Sequence, residues 1–454
     1  MNRRNFILGT GALSCWLGTR STLAQVENMK RKPANVKRKP NFVVIFIDDM
    51  GYGDIEPFGS KTNETPHLNR MASEGIRLTS FYVAAPCCTP SRAALMTGCY
   101  PKRVGLATDS QGRVVLFPKA HYGLNPSEKT IASVLKDAGY VSGCFGKWHL
   151  GDQPVFLPTN HGFDTFFGIP FSNDMWKNLG PPIPVLHNTT VIDRVEDMDD
   201  QAQLCKRFTD AATAFIRKNR DQPFFVYLPH SFIHYPRQAR KEFMDRADGN
   251  SLKAVIEEVD WSVGQVLNTI RELGLAEDTL VFFTSDNGGT SISSNGPLRA
   301  GKGSPYEGGM REPTIAWWPK TIPAGAVSDE LCTAMDLLPT FAAMSGGIVP
   351  RNRVIDGKDI SALLLARKNA ATPHKAFFYY VHDTLKAVRS GKWKLFTNGE
   401  LYDLENDIAE QENVAAKHPE IVKRLNTYLD ECRADLDNPK NCRPVGNVDN
   451  PRFL

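Results

Sequence analysis

The chain has 454 residues, 41% of them hydrophobic, so it can bury a large core and is expected to fold as one big domain with a smaller one attached. Its 54 Lys and Arg against 50 Asp and Glu leave a formal charge of only +4, which excludes a body built to live on nucleic acid. Nine cysteines is an odd number, so in an oxidising compartment at least one thiol lacks an internal partner.

Arg3 and Arg4 precede an apolar run, residues 6–17, that is too short to span a bilayer, and Thr22-Leu23-Ala24 places small residues ahead of a cleavage point. Residues 1–24 therefore read as an export signal, with no stable membrane span. The order Asn2-Arg3-Arg4-Asn5-Phe6-Ile7 resembles a twin-arginine signal. An ordinary secretory signal, or a lipoprotein signal through Cys15, are the alternatives, and all three send the chain to a periplasmic or extracellular location. Residues 25–40 are a basic, proline-rich stretch without apolar period and read as a solvated linker.

From residue 41 short apolar runs alternate with segments of helical period, the pattern of a parallel sheet covered by helices on both faces. Strands are predicted at 42–47, 76–83, 141–145, 224–228, 280–284 and 314–318, and helices at 66–74, 91–97, 128–138, 203–218, 252–273 and 336–345. Beyond about residue 360 the pattern changes to short strands at 376–381, 386–390, 393–396 and 401–402, which suggest a small antiparallel sheet. A closing helix at 419–436 carries an apolar stripe of Ile421, Val422, Leu425, Tyr428 and Leu429 that would lie on that sheet. Cys144, Cys205 and Cys332 sit in apolar contexts that suit buried free thiols, while Cys432 and Cys442 are close enough to bridge a short loop.

Ligands of open α/β sheets bind beyond the carboxyl ends of strands, so polar residues that follow apolar runs deserve inspection. One run ends in Asp48-Asp49 and another in Asp286-Asn287-Gly288. Three carboxylates and an amide carbonyl at one sheet edge would repel one another without a cation, and their hard oxygens suit calcium or magnesium. Taken singly, each Asp could equally cap a helix or a turn. A second group is Cys87-Cys88-Thr89-Pro90-Ser91-Arg92. Pro90 and Ser91 are first-turn residues, which puts Cys88 at a helix N-terminus, where partial positive charge lowers a thiol pKa and holds anions.

Cys88-Thr89-Pro90-Ser91-Arg92 resembles the Cys-x-Pro-Ser-Arg motif of formylglycine-dependent sulfatases, and Ala93-Ala94-Leu95-Met96-Thr97-Gly98 continues the likeness. The same order and spacing holds for Ile47-Asp48-Asp49-Met50-Gly51-Tyr52-Gly53-Asp54, Thr65-Pro66-His67-Leu68, Gly146-Lys147-Trp148-His149, Ser285-Asp286-Asn287-Gly288 and Gly301-Lys302-Gly303-Ser304. Over residues 41–454 the chain is similar to the arylsulfatase A and N-acetylgalactosamine-6-sulfatase branch. Cys99 departs from it, standing where relatives often have arginine.

The resemblance implies an alkaline-phosphatase-like mixed sheet sandwiched by helices over 41–365, with a C-terminal α+β subdomain over 366–454. It implies that a formylglycine-generating enzyme oxidises Cys88 to an aldehyde, whose hydrate attacks sulfur and then releases sulfate through its second hydroxyl. Asp48, Asp49, Asp286 and Asn287 would hold calcium, or magnesium, with an oxygen of the modified Cys88. Arg92 would neutralise charge near the ligands. Lys147 would bind sulfate, and His149, two residues on along extended backbone, would be the base that collapses the intermediate. His234, with His230 as its rival, and Lys302 would bind the transferring sulfate and protonate the leaving oxygen, and Ser172 would contact sulfate. The expected substrate is a small-molecule or oligosaccharide sulfate ester. Two alternatives share the pattern: phosphoester or phosphonate hydrolysis on the same scaffold, and an inactive glycan-binding homologue if Cys88 stays unmodified.

Overall fold

In chain order the main sheet uses β1 (Asn41–Ile47), β2 (Ile76–Tyr82), β3 (Val141–Lys147), β4 (Thr165–Ile169), β5 (Ile183–His187), β6 (Thr190–Val195), β7 (Phe224–Pro229), β8 (Thr279–Ser285), β9 (Arg311–Trp317) and β10 (Ala326–Ser328). The computed structural model describes residues 38–109, 111–176 and 180–454, so the expected signal and nearly all of the linker lie outside the described residues. Every side chain of β1 is buried, as a strand covered on both faces requires. Phe42, Val44 and Phe46 enter one apolar layer, while Val43, Ile45 and Ile47 enter the other.

The spatial order is β10, β2, β9, β8, β1, β7, β3, β4, β5, β6, and a two-residue strand, Cys332–Thr333, makes the sheet eleven-stranded by also pairing with β2. β8, β1, β7, β3 and β4 are mutually parallel. β9 runs against both β8 and β2, and β5 and β6 form an antiparallel ribbon at the far edge. The sheet is therefore mixed, as the resemblance implies, rather than parallel throughout as the alternation suggests. The ribbon departs from the simple pattern because Asn188, at φ +56°, turns the chain tightly between β5 and β6.

α1 (Pro66–Glu74), α4 (Met198–Lys218) and α5 (Ser251–Glu272) contribute Leu68, Phe208 and Val259 to one layer. α2 (Cys88–Thr97), α3 (Ile131–Asp137) and α6 (Leu337–Ser345) contribute Leu95, Leu135 and Phe341 to the other. β11 (Phe377–Val381), β12 (Thr384–Ser390), β13 (Trp393–Phe396) and β14 (Leu401–Asp403) form the smaller antiparallel sheet in that order. α7 (Pro419–Leu436) covers it and buries Leu425, Leu429, Cys432 and Leu436. Among the described residues no helix is long and apolar enough to cross a membrane.

All eight described cysteines are free, including Cys432 and Cys442, which do not close a loop. The Cys432 thiol turns inward to Tyr380 Oη at 3.3 Å, whereas the Cys442 thiol faces the Leu436 carbonyl at 3.4 Å. At Cys99 a cation arrives from elsewhere in the chain: Arg443 Nη2 lies 3.2 Å from its sulfur, and Arg443 Nε donates to Glu128 at 2.6 Å.

A buried ionic cluster ties the two sheets together. Glu307, at the head of the short segment entering β9, accepts hydrogen bonds from Tyr379 Oη at 2.8 Å and Lys394 Nζ at 3.0 Å, and also contacts Tyr82 Oη. Lys394 reaches Glu410 at 2.7 Å as well. Removing one partner of such a cluster leaves unpaired buried charge, so Lys394→Met is expected to lower stability by about 3–5 kcal/mol in chemical denaturation. A loss below about 1 kcal/mol would show that the cluster is not a stabilising contact.

Candidate active site

β8, β1, β7, β3 and β4 release their carboxyl ends on one edge, and β2, opposed to β9, releases its own end there too. Asp48-Asp49 follow β1, Cys88 follows β2, Lys147 ends β3, Ser172 follows β4, His230 and His234 follow β7, and Asp286-Asn287 follow β8. β9 enters from the same edge, which brings Lys302 to it. Ladder contacts continue into these residues, since Asp286 N donates to the Ile47 carbonyl at 2.8 Å and Asp48 exchanges 2.9 and 2.8 Å bonds with Phe232 and Ile233. Gly146, at φ +140°, sets the approach of Lys147: a Cβ there would lie 2.0 Å from the Pro229 carbonyl oxygen.

Asp48, Arg92 and Lys147 have no exposed side-chain surface. Asp48 Oδ1 lies 3.4 Å from Cys88 Sγ, and its Oδ2 contacts Lys147 Nζ and stands 3.6 Å from Arg92 Nη2. Arg92 grips Asp286 Oδ2 through Nη2 at 2.7 Å and Nε at 3.1 Å, and donates to the Lys147 carbonyl at 2.9 Å. Lys302 Nζ is 2.6 Å from Asp49 Oδ1 and 3.7 Å from Cys88 Sγ. Lys147 also donates to Ser172 Oγ at 3.0 Å. The repulsion foreseen among the three carboxylates is thus offset by three cationic side chains already in contact with them. A divalent ion would leave the pocket with excess positive charge, which suits an anionic ester.

The cluster can hold a metal ion: Asp48, Asp49, Cys88 and His234 offer ligand atoms that all lie within 4.8 Å of one another, while Asp286, turned to Arg92, stands outside that group. Asn287 Oδ1 is buried with no hydrogen-bond partner, while its Nδ2 donates to Asp49 Oδ1 at 2.8 Å. Burial, reinforced by Asp48 and Cys88, pushes the Asp286 carboxyl well above the usual range. Burial raises Asp49 as well, with His234 and Lys302 opposing the shift.

Cys88 opens α2, a helix whose ten residues are all buried. A hydrogen bond with Cys87, then Lys147 and Lys302, hold its thiol well below the ordinary value against the cost of burial. His149 differs from expectation in its backbone, since φ is +57° and the extended conformation ends at Lys147. Its Nε2 faces the Leu116 carbonyl at 3.0 Å, and burial followed by the Lys147 charge brings the imidazole down to about 4. Thr89 Oγ1 binds this arrangement together, donating to the His149 carbonyl at 3.1 Å and accepting from Leu116 N at 3.2 Å. Sequence reasoning missed Leu116, which contributes a carbonyl and so leaves no side-chain signature.

The two histidines after β7 part company. His230 is buried against Ser262 Oγ at 2.9 Å and held down to about 3 by desolvation. His234 is half-buried, with Nε2 3.7 Å from Asp49 Oδ2. The second histidine is therefore the one that joins the cluster.

The sulfatase family profile matches residues 40–348, and the profile described as "N-sulphoglucosamine sulphohydrolase, C-terminal" matches residues 301–435. The chain belongs to the sulfatase family. It is 40% identical over 379 residues to N-acetylgalactosamine-6-sulfatase of Canis lupus familiaris, covering 80% of this chain and 72% of that one. To arylsulfatase A of Homo sapiens it is 37% identical over 462 residues, covering 88% and 89%. The crystal structure of Ps i-CgsB in complex with k-i-k-neocarrahexaose is similar with a TM-score of 0.77 at 30% identity, over 87% of this chain and 92% of that one. This sulfatase is accordingly a sulfuric ester hydrolase.

Because Arg92 grips Asp286 from two nitrogens, Arg92→Met should leave buried carboxylates undercompensated and cost about 3–5 kcal/mol in chemical denaturation. Arg92→Lys keeps charge without the fork and should fall between. Wild-type stability in both variants would contradict this account of the charges.

Proposed function

We propose that this sulfatase hydrolyses sulfate esters of carbohydrates outside the cytoplasm, using residue 88 as formylglycine beside a divalent cation, with calcium preferred. The observation that carries the reading is the seating of Cys88 Sγ, 3.4 Å from Asp48 and 3.7 Å from Lys302, at the head of a buried helix. That sulfur stands in for the oxygens of the oxidised, hydrated residue. A carbohydrate ester is favoured because a similar protein has been crystallised with a neocarrahexaose. Residues 41–365 would carry the reaction, and 366–454 would support the segment entering β9.

Asp48, Asp49, Asp286 and Asn287 would hold the cation, which when bound supplies charge that favours an ionised nucleophile. Hydrated formylglycine supplies two oxygens, one to attack sulfur and one to let sulfate depart. Lys147 and Lys302 bracket position 88 and would bind sulfate oxygens as charge shifts in the transition state. Ser172, which accepts from Lys147 Nζ at 3.0 Å, would contact the same oxygens. Arg92 fixes the orientation of Asp286 through its paired bonds. His234, half-buried beside Asp49, would give its proton to the departing oxygen. His149, neutral above about 4, would take the proton from residue 88 that frees sulfate.

Purified protein should turn over 4-nitrophenyl sulfate in preference to 4-nitrophenyl phosphate, and its residue-88 peptide should be lighter than the thiol form. Cys88→Ala should abolish turnover with the melting transition preserved. Comparable turnover in that variant, or a preference for phosphate, would defeat the proposal. His149 must be unprotonated to act, and it acts after the alcohol has left, so kcat should hold steady as pH falls through 6.5 and decline only toward about 4. An acid limb assigned to His149 and centred near 6.5 would exclude it as the base.

A further inference from the structure

Beside the catalytic cluster lies a cavity of about 500 Å³, lined by Thr290, Ser291, Ser293, Asn295, Leu298 and Lys302 among others. Lys302 links it to the reacting centre, since the same ammonium stands 3.7 Å from Cys88 Sγ. A sulfate group alone is far smaller than this space, which falls in the ~300–1,000 Å³ range of ligand pockets. Hydroxyls and an amide dominate its wall, the chemistry that meets a polyhydroxylated ring. Tyr235, one residue after His234, is 65% exposed and offers an aromatic face of the kind that covers the C–H side of a sugar.

Arg237 lies three residues beyond His234 and reaches this wall, donating from Nη2 to Thr290 Oγ1 at 3.2 Å. Its Nε is sealed from solvent, which leaves the edge formed by Nη1 and Nη2 as the one a ligand can meet. Among the described residues Arg237 forms no ion pair, and the two carboxylates whose charge it feels are already engaged. Asp49 is held by Lys302 and Asn287, and Asp54 accepts from Gly51 N at 2.8 Å and Ser294 N at 2.7 Å. A half-buried guanidinium with spare donors is matched by a carboxylate or a sulfate, which it binds through two nitrogens at once.

We propose that Arg237 binds a second anionic group, a carboxylate or a further sulfate ester, on the sugar that fills this cavity while its scissile sulfate lies at residue 88. The assignment rests on the sulfate-ester reading above and narrows the substrate to doubly anionic sugars. Its test compares three substrates: a neutral hexose monosulfate, the corresponding uronic acid sulfate and the corresponding hexose disulfate. The readout is the ratio of kcat/KM for each doubly anionic sugar to that for the monosulfate.

Wild type should favour one of the two anionic sugars by about tenfold or more, as one charge-assisted contact supports, and the favoured one names the anion. Arg237→Gln should reduce that ratio about tenfold, and Arg237→Lys, which keeps charge but not the fork, by about threefold. Either variant suffices if the other does not fold. An arginine that merely braced the Thr290 loop would affect all three substrates alike, so a ratio within about twofold of wild type in the folded variants overturns the assignment. A wild type without preference overturns it equally. Turnover of 4-nitrophenyl sulfate is read alongside: its absence in mature wild type removes the sulfatase reading itself, whereas its presence with an unchanged ratio removes only Arg237.

Discussion

The mutual neutralisation of Asp48, Asp49 and Asp286 by Arg92, Lys147 and Lys302 is the constraint on which the rest of the structure turns. Each ion taken out of water costs several kcal/mol, and that cost is recovered only where opposite charges meet in good geometry and their remaining donors are bonded. Arg92 meets the requirement through paired bonds to Asp286 and a third to a backbone carbonyl. Lys147 meets it through Asp48 and Ser172. These groups come from points far apart in the chain, so the balance exists only when the whole sheet edge has formed.

The architecture supplies that edge. A parallel centre gives several strand ends pointing the same way, and β9, inserted against the grain, carries the Lys302 loop back to them. Opposed charges in equal number would make a stable but inert knot. Lys302 is less enclosed than Lys147, His234 is half-buried, and a cavity opens beside them, so the cluster is sealed below and accessible above. This asymmetry is what turns a charge cluster into a place where an anionic ester can be held.

Much of this was legible beforehand, and for identifiable reasons. β1 and β8 are continuous apolar runs that stop at Asp, so both the strands and the polar groups beyond them stand out. α1 and α7, which open on Pro66 and Pro419, and β13, a short apolar strand, begin and end where the sequence predicts. β6 was not legible because its mostly exposed residues, Thr190–Val195, lack an apolar run, and in the buried β5 Pro184 interrupts a run too short to stand out. The motif residues could be grouped, but not their partners: nothing in the order of side chains shows that Leu116 offers its carbonyl to His149. Nor does spacing show that His149 adopts a left-handed backbone conformation, or that Asn287 turns its amide nitrogen toward Asp49. Arg237 is silent in the sequence for a different reason, since its significance lies in donors that the folded chain leaves unused.

The Glu307 cluster bears on how such a chain comes off the ribosome. Glu307 introduces β9, yet the ammonium that balances it belongs to Lys394 and is shared with Glu410. A nascent chain that has emerged only through β9 would have to bury that carboxylate without its main counter-ion. The last quarter of translation therefore completes what the earlier three quarters leave open, and a product stalled before residue 394 would carry β1 to β10 with Glu307 left to Arg311, 3.5 Å away.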